Sequence, residues 1–262
     1  MLSEFMILVR FFCLVFSTTI LSTAMLTTAA SAESTRIAVA SNFTPVMKAL
    51  IAEFEQNSMH KVKASYASSG KFYAQIYHDA PYDIFFSADQ TKPLALEKEG
   101  LIIPASRFTY ALGGLALWSN NIDFKDQHLT RLKTNQFNKL SLANPKLAPY
   151  GLAAIQVLDK LALRQQTKSK WVQGENIAQT YQFVATGNAD LGFIALSQVF
   201  NTSADKQSQY YWQVPKELYN PIKQDLVLLK HGADNIAAKA FIQFIKSTKA
   251  QGIIRSYGYS NE

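Results

Sequence analysis

Short apolar runs alternate with longer segments of helical periodicity along most of this chain of 262 residues. Apolar runs at residues 36–40, 62–66 and 84–86 are each followed by a stretch in which apolar residues recur every three or four positions. Further strands are predicted at 115–118, 140–143, 191–195 and 226–229. Strands and helices that alternate in this way are typical of βα units around a mainly parallel sheet, so the predicted fold class is α/β.

The N-terminal region has a different character. Residues 11–26 form an apolar stretch behind Arg10, and small residues follow it up to Ala32. This pattern predicts a secretory signal peptide over residues 1–32, cleaved before Glu33, and hence a periplasmic protein. The alternative is an uncleaved anchor, although the stretch is short and rich in Ser and Thr for a membrane span. The only cysteine, Cys13, lies in this region, so we expect no disulfide and no thiol-based site elsewhere.

The charge of the chain restricts its partners. The formal net charge is +7, but the Lys and Arg residues are scattered and do not interleave with aromatic residues. This distribution favours a solvated basic surface with a mild attraction for small anions, and no nucleic acid partner is expected. The 48% hydrophobic content is enough for one large or two modest domains.

Residues 65–72, with the sequence SYASSGKF, join a predicted strand to a predicted helix. Gly70-Lys71 looks like the end of a Walker nucleotide loop, but that motif needs Gly where Ser65 stands and Ser or Thr where Phe72 stands. Free N–H groups at a helix start, surrounded by serine hydroxyls, nevertheless favour an anion. The junction is therefore a candidate anion site of another kind.

Three strand-to-helix junctions share this uncharged, donor-rich character: residues 40–42, 67–70 and 149–151. In doubly wound sheets such loops gather at the carboxyl ends of the strands, where ligands bind. An ionised oxyanion only accepts hydrogen bonds, so it matches a shell of N–H and O–H donors. Each junction alone is also explained by ordinary helix capping, and the prediction of an oxyanion site depends on their recurrence.

Enzyme motifs are weak by comparison, and we do not expect an enzyme. His60, His78, His128 and His231 lie far apart without metal-ligand spacing, and His78 is expected on a helix surface. Asp83 and Asp89 bracket the third strand. Paired carboxylates can serve acid–base chemistry, but hydrogen bonding at the strand edge and capping of the next helix are the simpler explanation. A secreted hydrolase built around Ser41 or Ser69 is the alternative from another class, but it lacks a base placed for the serine.

The same segments resemble the periplasmic molybdate-binding proteins of ABC-type importers. The matching pieces span nearly the whole chain after the predicted signal peptide: VASNFTPVMKALIAEFE (39–55), YASSGKFYAQI (66–76), APYDIFFSADQ (80–90), NPKLAPYGLAA (144–154) and LGFIALSQV (191–199). The resemblance implies a type II periplasmic binding fold, in which two α/β lobes joined by two crossing strands close over one tetrahedral oxyanion. It implies a first lobe at 33–109 and 224–262 and a second lobe at 110–223.

The resemblance also implies the ligand-binding residues. These are Ser41 and Asn42 after the first strand, Ser69 in the second junction, and Tyr150 and Ile177 at helix starts of the second lobe. Better-known members carry a small residue at position 150 and a tyrosine ligand at position 195, where this chain has Ala195. The chain therefore looks like a subgroup in which the phenol enters from Tyr150.

On this basis we expect an extracytoplasmic solute-binding protein that captures molybdate, and also tungstate, and delivers it to the membrane permease of an ABC transporter. No cofactor is expected, and molybdenum would be bound only as its oxyanion, without direct protein-to-metal ligands. The chain is expected to act as a monomer. The alternative within the same fold is another oxyanion, such as sulfate or phosphate.

Overall fold

The computed structural model describes residues 32–200 and 211–260, and the predicted signal peptide lies almost entirely outside the described residues. Ten strands lie within these two ranges. In chain order they are β1 (Ser34–Ala40), β2 (Lys61–Ala67), β3 (Ile84–Phe86), β4 (Phe108–Gly113), β5 (Leu115–Trp118), β6 (Leu140–Ala143), β7 (Trp171–Gly174), β8 (Leu191–Ala195), β9 (Tyr211–Gln213) and β10 (Ile222–Leu228).

The α-helices follow the apolar periodicity of the sequence. In the described ranges they are α1 (Thr44–Gln56), α2 (Ser69–Tyr77), α3 (Thr91–Lys98), α4 (His128–Thr134), α5 (Pro149–Lys160), α6 (Arg164–Thr167), α7 (Ile177–Ala185), α8 (Ile236–Ile245) and α9 (Thr248–Ser256). Two short 3-10 turns, Ser41–Phe43 and Leu196–Gln198, also contribute to the site described below. In this part of the chain, none of the helices combines the length and the apolar character that crossing a bilayer needs.

The strands form two five-stranded sheets, in the orders β2-β1-β3-β10-β4 and β7-β6-β8-β5-β9. Each sheet defines one lobe. In the first lobe β1 is parallel to β2 and β3, whereas β10 is antiparallel to β3 and β4. In the second lobe β6 is parallel to β7 and β8, whereas β5 is antiparallel to β8 and β9.

The expectation of a mainly parallel sheet is therefore wrong, because both sheets are mixed. Antiparallel pairs are introduced by β10, which returns from the second lobe, and by β5, which enters it. Helical crossovers impose parallel pairing only on the βα units β1–β3 and β6–β8. Three strands, β4, β7 and β9, were not among the predicted ones.

Alternating residues of the strands bury both faces of the first sheet. Ile37 and Val39 of β1 belong to a core cluster that includes Phe241 of α8, whereas Ala38 packs in a second cluster with Phe72 of α2. Because successive side chains of a strand point to opposite faces, helices cover the sheet on both sides. The carboxyl ends of the strands are left at one edge, where junctions such as Ser41 and Ser69 lie.

The chain passes between the lobes twice. It leaves the first sheet at Gly113, the last residue of β4, and enters the second sheet at Leu115. It returns to the first sheet at Ile222, the first residue of β10. The two lobes therefore share two connections, and the ends of β1 and β2 face the ends of β6 and β7 across them.

Candidate oxyanion site

The five predicted site residues all lie at the starts of helices or turns. Ser41 and Asn42 open the turn after β1, Ser69 is the first residue of α2, Tyr150 is the second residue of α5, and Ile177 is the first residue of α7. Their exposed fractions do not exceed 4%. A molecule held by them would be removed from bulk water.

Strand pairing places these junctions side by side within each lobe. Ala40 of β1 pairs with Ala67 of β2, so the turn at Ser41 lies beside the start of α2. In the second lobe Ala143 of β6 pairs with Gly174 of β7, so the starts of α5 and α7 are neighbours as well. Both pairs sit at the carboxyl ends of parallel strands. The sequence predicted such an arrangement for three of these junctions but not for the start of α7, because strand β7 was not predicted.

One hydrogen bond joins Ser41 to the second lobe. The Oγ of Ser41 donates to Oδ1 of Asn176 at 3.3 Å. The same Asn176 oxygen accepts from the backbone N–H of Ala178 at 3.0 Å and of Gln179 at 3.1 Å, which makes it the N-cap of α7. The Ser41 turn therefore contacts the helix start that carries Ile177.

A second set of contacts joins the start of α2 to the loop before α5. The N–H of Gly70 donates to the carbonyl oxygen of Leu147 at 2.9 Å. Ser69 is held from within its own lobe, because its Oγ accepts from the N–H of Ala88 at 2.8 Å. The four junctions are thus linked in a ring, in pairs within each lobe and in pairs across the lobes.

This ring is rich in hydrogen-bond donors. The N–H groups in the first turn of a helix have no intrahelical acceptor, and the helix dipole adds partial positive charge there. None of the first turns at Ser41, Ser69, Pro149 and Ile177 contains an acidic residue. In the described ranges no three His, Cys, Asp or Glu side chains are grouped as a cation site would need. The arrangement matches a small anion that only accepts hydrogen bonds.

The side chains of Asn42 and Tyr150 have a different environment from the serines. The amide nitrogen of Asn42 donates to Oε1 of Gln224 at 2.8 Å and to the phenol oxygen of Tyr259 at 3.0 Å. The phenol oxygen of Tyr150 accepts from Nε2 of Gln224 at 3.3 Å. Gln224 lies on the returning strand β10, so both side chains engage a buried network at the crossing between the lobes.

Most members of this buried network were not predicted from the sequence. The network consists of Asn42, Tyr110, Tyr150, Ser197, Gln224 and Tyr259. The hydroxyl of Tyr259 donates to the carbonyl oxygen of Asn42 at 3.1 Å, and Ser197 Oγ also donates to that carbonyl at 3.0 Å. Burial raises the pKa of the Tyr150 phenol well above its ordinary value, with nearby Tyr259 adding to the effect. The phenol therefore stays protonated at neutral pH.

The sequence carries little signal for this network, because Gln224 stands between the charged residues Lys223 and Asp225. Only the structure shows that Gln224 is fully buried on β10, where a polar side chain requires partners. The predicted strand at 226–229 began too late to include it.

The groups considered for enzyme chemistry have structural roles. Asp89 caps α3, since its Oδ1 accepts from the N–H of Lys92 at 3.1 Å. Asp83 is buried and accepts from Thr35, from the backbone of Arg36 and from Asn235, besides contacting His231. His78 is exposed at the end of α2, as expected.

Two mixed sheets, two crossings and a donor-lined site between them define the class of two-lobed solute-binding proteins. Comparison with known proteins places the chain within it. Residues 35–260 match the bacterial extracellular solute-binding protein family, and the chain belongs to that family. This membership confirms the expectation of a binding protein rather than an enzyme.

Individual relatives are more specific. The chain is 50% identical over 239 residues to the molybdate-binding protein ModA of Azotobacter vinelandii, covering 91% of this chain and 94% of the relative. It is 46% identical over 225 residues to the molybdate-binding protein ModA of Rhodobacter capsulatus, covering 86% and 87% of the two chains. The solved periplasmic molybdate-binding protein of Azotobacter vinelandii superposes with a TM-score of 0.82 over 87% of this chain and 99% of that one, at 36% identity. The predicted periplasmic binding fold is confirmed.

Proposed function

We infer that the protein captures molybdate outside the cytoplasm and delivers it to the permease of an ABC transporter. The observation that carries this inference is the ring of four helix and turn starts, contributed by both lobes and free of acidic residues in their first turns. A tetrahedral dianion presents oxygen acceptors in every direction, and such a ring supplies donors from every side. The 50% identity to a molybdate-binding protein supports the choice of oxyanion.

We propose the hydroxyls of Ser41 and Ser69 and the N–H groups of Asn42, Ser69, Tyr150 and Ile177 as the ligand contacts. The Ser41 hydroxyl, which donates to Asn176, would turn its single proton from Asn176 to the oxyanion on binding. The phenol of Tyr150 supports the site through Gln224 at the crossing between the lobes. Uncharged donors hold the oxyanion without a permanent counter-ion, so opening the lobes is enough to release it. Capture by closure follows if the closed state, which unites the donors of both lobes, has the higher affinity.

Further parts of the proposal concern the setting of the site. Tungstate is proposed as a second ligand, because it is also a tetrahedral dianion. We propose residues 1–32 as a cleaved signal peptide, a periplasmic location and a monomeric state. The lobe limits proposed from the resemblance are 33–109 and 224–262 for the first lobe and 110–223 for the second. Both boundaries fall inside the crossing strands β4 and β10, whose residues 111–113 and 222–223 pair in the first sheet.

A panel of oxyanions tests the ligand. Protein stripped of bound anions is heated with molybdate, tungstate, sulfate and phosphate at several concentrations. Only an anion that binds the folded state raises the melting temperature progressively with concentration. We expect this response with molybdate and tungstate. A response to sulfate or phosphate alone would show that one of these anions, and not molybdate, is the ligand. Phosphate keeps a proton near neutral pH and gains from a carboxylate acceptor, which the four first turns lack.

Substitution of Ser69 tests the site. Ser69→Ala is expected to weaken molybdate binding by about 1 to 3 kcal/mol, because a dry site would be left with an unmatched ligand oxygen. The matched control is Ser141→Ala, since Ser141 is also fully buried but its Oγ has no hydrogen-bond partner among the described residues. Isothermal titration calorimetry measures both affinities. Equal affinities of Ser69→Ala and the wild type would remove Ser69 from the site.

A further inference from the structure

Gly70 and Lys71 directly follow the proposed ligand residue Ser69 in the SYASSGKF stretch and are not among the proposed ligand contacts. Both contact the opposite lobe. Gly70 donates its N–H to Leu147 at 2.9 Å, and Lys71 Nζ lies 2.9 Å from a carboxylate oxygen of Glu175. We propose that Gly70 and Lys71 form the closing contact that holds the lobes together over the bound oxyanion, an inference that rests on the proposed function.

The backbone contact favours glycine for steric reasons. A Cβ added at Gly70 would lie 3.0 Å from both the Cα and the carbonyl oxygen of Leu147. These are backbone atoms, so they cannot move aside as the end of a flexible side chain would. Gly70 lies within α2, where alanine is the better helix former. Glycine at this position is therefore explained by the approach of the other lobe rather than by the helix itself.

The position of the contact connects it to ligand exchange. Ser69, immediately before Gly70, is 1% exposed, and Ile177 of the facing lobe is 2% exposed. An oxyanion held between such buried donors leaves only after the two lobes separate. Separation breaks the bond between Gly70 and Leu147, so the strength of this contact enters the dissociation rate directly.

The ion pair between Lys71 and Glu175 contributes less to the closing contact than Gly70 does. Lys71 and Glu175 have side-chain exposures of 47% and 46%, and ion pairs as exposed as this are worth little and are screened by salt. We therefore assign most of the closing contact to Gly70. The Lys71 pair makes release dependent on ionic strength.

The first experiment compares Gly70→Ala with Gly252→Ala. Gly252 lies inside α9, and a Cβ added there would meet no atom within 4 Å. Both variants gain a helix-forming residue, so neither is expected to lower the melting temperature of the ligand-free protein. Only Gly70→Ala is expected to bind molybdate about tenfold or more weakly, because the overpacked contact prevents full closure. Stopped-flow measurements should place most of the change in the dissociation rate.

The outcomes separate this inference from the proposed function. If the wild type does not bind molybdate, the proposed function fails. If the wild type binds and Gly70→Ala binds equally well, the closing contact is overturned while the proposed function stands. A loss of affinity in Gly252→Ala as large as that in Gly70→Ala would also overturn it, because the effect would then not arise from the approach of Leu147.

A second experiment does not depend on Gly70. Lys71→Gln, Glu175→Gln and the double variant form a double-mutant cycle on the molybdate dissociation rate. The closing contact predicts a coupling of about two- to fivefold at low salt, which disappears at high salt. Additive effects at low salt would show that the ion pair does not hold the closed state.

Discussion

Tyr259 lies where three distant segments of the chain meet. Its hydroxyl donates to the carbonyl of Asn42 at 3.1 Å and lies 3.0 Å from Ser197 Oγ, which belongs to the second lobe. Its ring contacts Phe43 edge-on, with 5.1 Å between the centroids. Tyr259 therefore holds the backbone on the carbonyl side of Asn42, next to the Asn42 N–H that is one of the proposed ligand donors.

Tyr259→Phe tests this role with a close control. Tyr110 is also buried and packs edge-on against Phe43, with 4.9 Å between the centroids, but the acceptors within reach of its hydroxyl, the Ser87 carbonyl and Gln224 Oε1, both lie in the first lobe. Both Phe variants are expected to lose about 1 to 3 kcal/mol of stability through unsatisfied partners. Only Tyr259→Phe is expected to weaken molybdate binding in calorimetry; equal affinities of the two variants would contradict the assignment.

The sequence indicated where the candidate site residues lie better than which side chains they contact. Ser41 and Ser69 were recognisable because hydroxyl groups at helix starts are a local pattern. The orientation of the Asn42 amide was not, because its partners Gln224 and Tyr259 are 182 and 217 positions away. An amide suits a ligand or a buried network equally well, and only the tertiary structure distinguishes the two.

At the scale of the elements, helix α7 begins with a cap that serves two purposes. Asn176 accepts from the first turn of α7 and from Ser41 across the lobes. Its amide is neutral, so it caps the helix without placing negative charge beside the proposed oxyanion. Aspartate caps a helix as well as asparagine does, but brings that charge.

Asn176→Asp should therefore separate stability from binding. We expect an unchanged or higher melting temperature without ligand, and molybdate affinity lower by roughly tenfold or more through repulsion in a buried site. Ser247→Asp is the control, since Ser247 caps α9 by accepting from Ala250 at 3.2 Å, outside the ring of junctions. Calorimetry on both variants measures the effect. Undiminished affinity in Asn176→Asp would place the anion away from the start of α7.

The elements were predictable where the local pattern was strong. Strands β3, β5, β6 and β8 begin and end at the predicted residues, because each short apolar run has a polar residue on at least one side. Strand β7 was missed because its sequence, WVQG, is short and only half apolar. The antiparallel direction of β5 and β10 was not predicted, because side chains alternate with the same period in parallel and antiparallel strands.

At the scale of the whole molecule, burial of phenols predicts a loss of stability at alkaline pH. Burial is the main cause that raises the pKa of Tyr110, Tyr150 and Tyr259 in the folded state. The unfolded chain releases these protons first, from about pH 10 upward, so the free energy of unfolding falls as pH rises. Each phenol contributes a slope of about 1.4 kcal/mol per pH unit between its unfolded and folded pKa.

Urea unfolding between pH 8 and pH 11 measures this dependence. Tyr110→Phe removes one of the three phenols and should reduce the alkaline slope by about 1.4 kcal/mol per pH unit, with the slope below pH 9 unchanged. Parallel curves for the wild type and the variant would show that Tyr110 does not titrate on unfolding.

The contact between Gly70 and Leu147 also marks a place where a fluorophore could report on closure of the lobes. Lys146 precedes Leu147 and is exposed, and Cys13 is the only cysteine of the sequence. A fluorophore attached through Lys146→Cys, in protein lacking residues 1–32, would sit at the margin of the gap between the lobes. Its emission would change as that gap narrows, which would make the protein a reagentless fluorescent sensor for the oxyanion it carries.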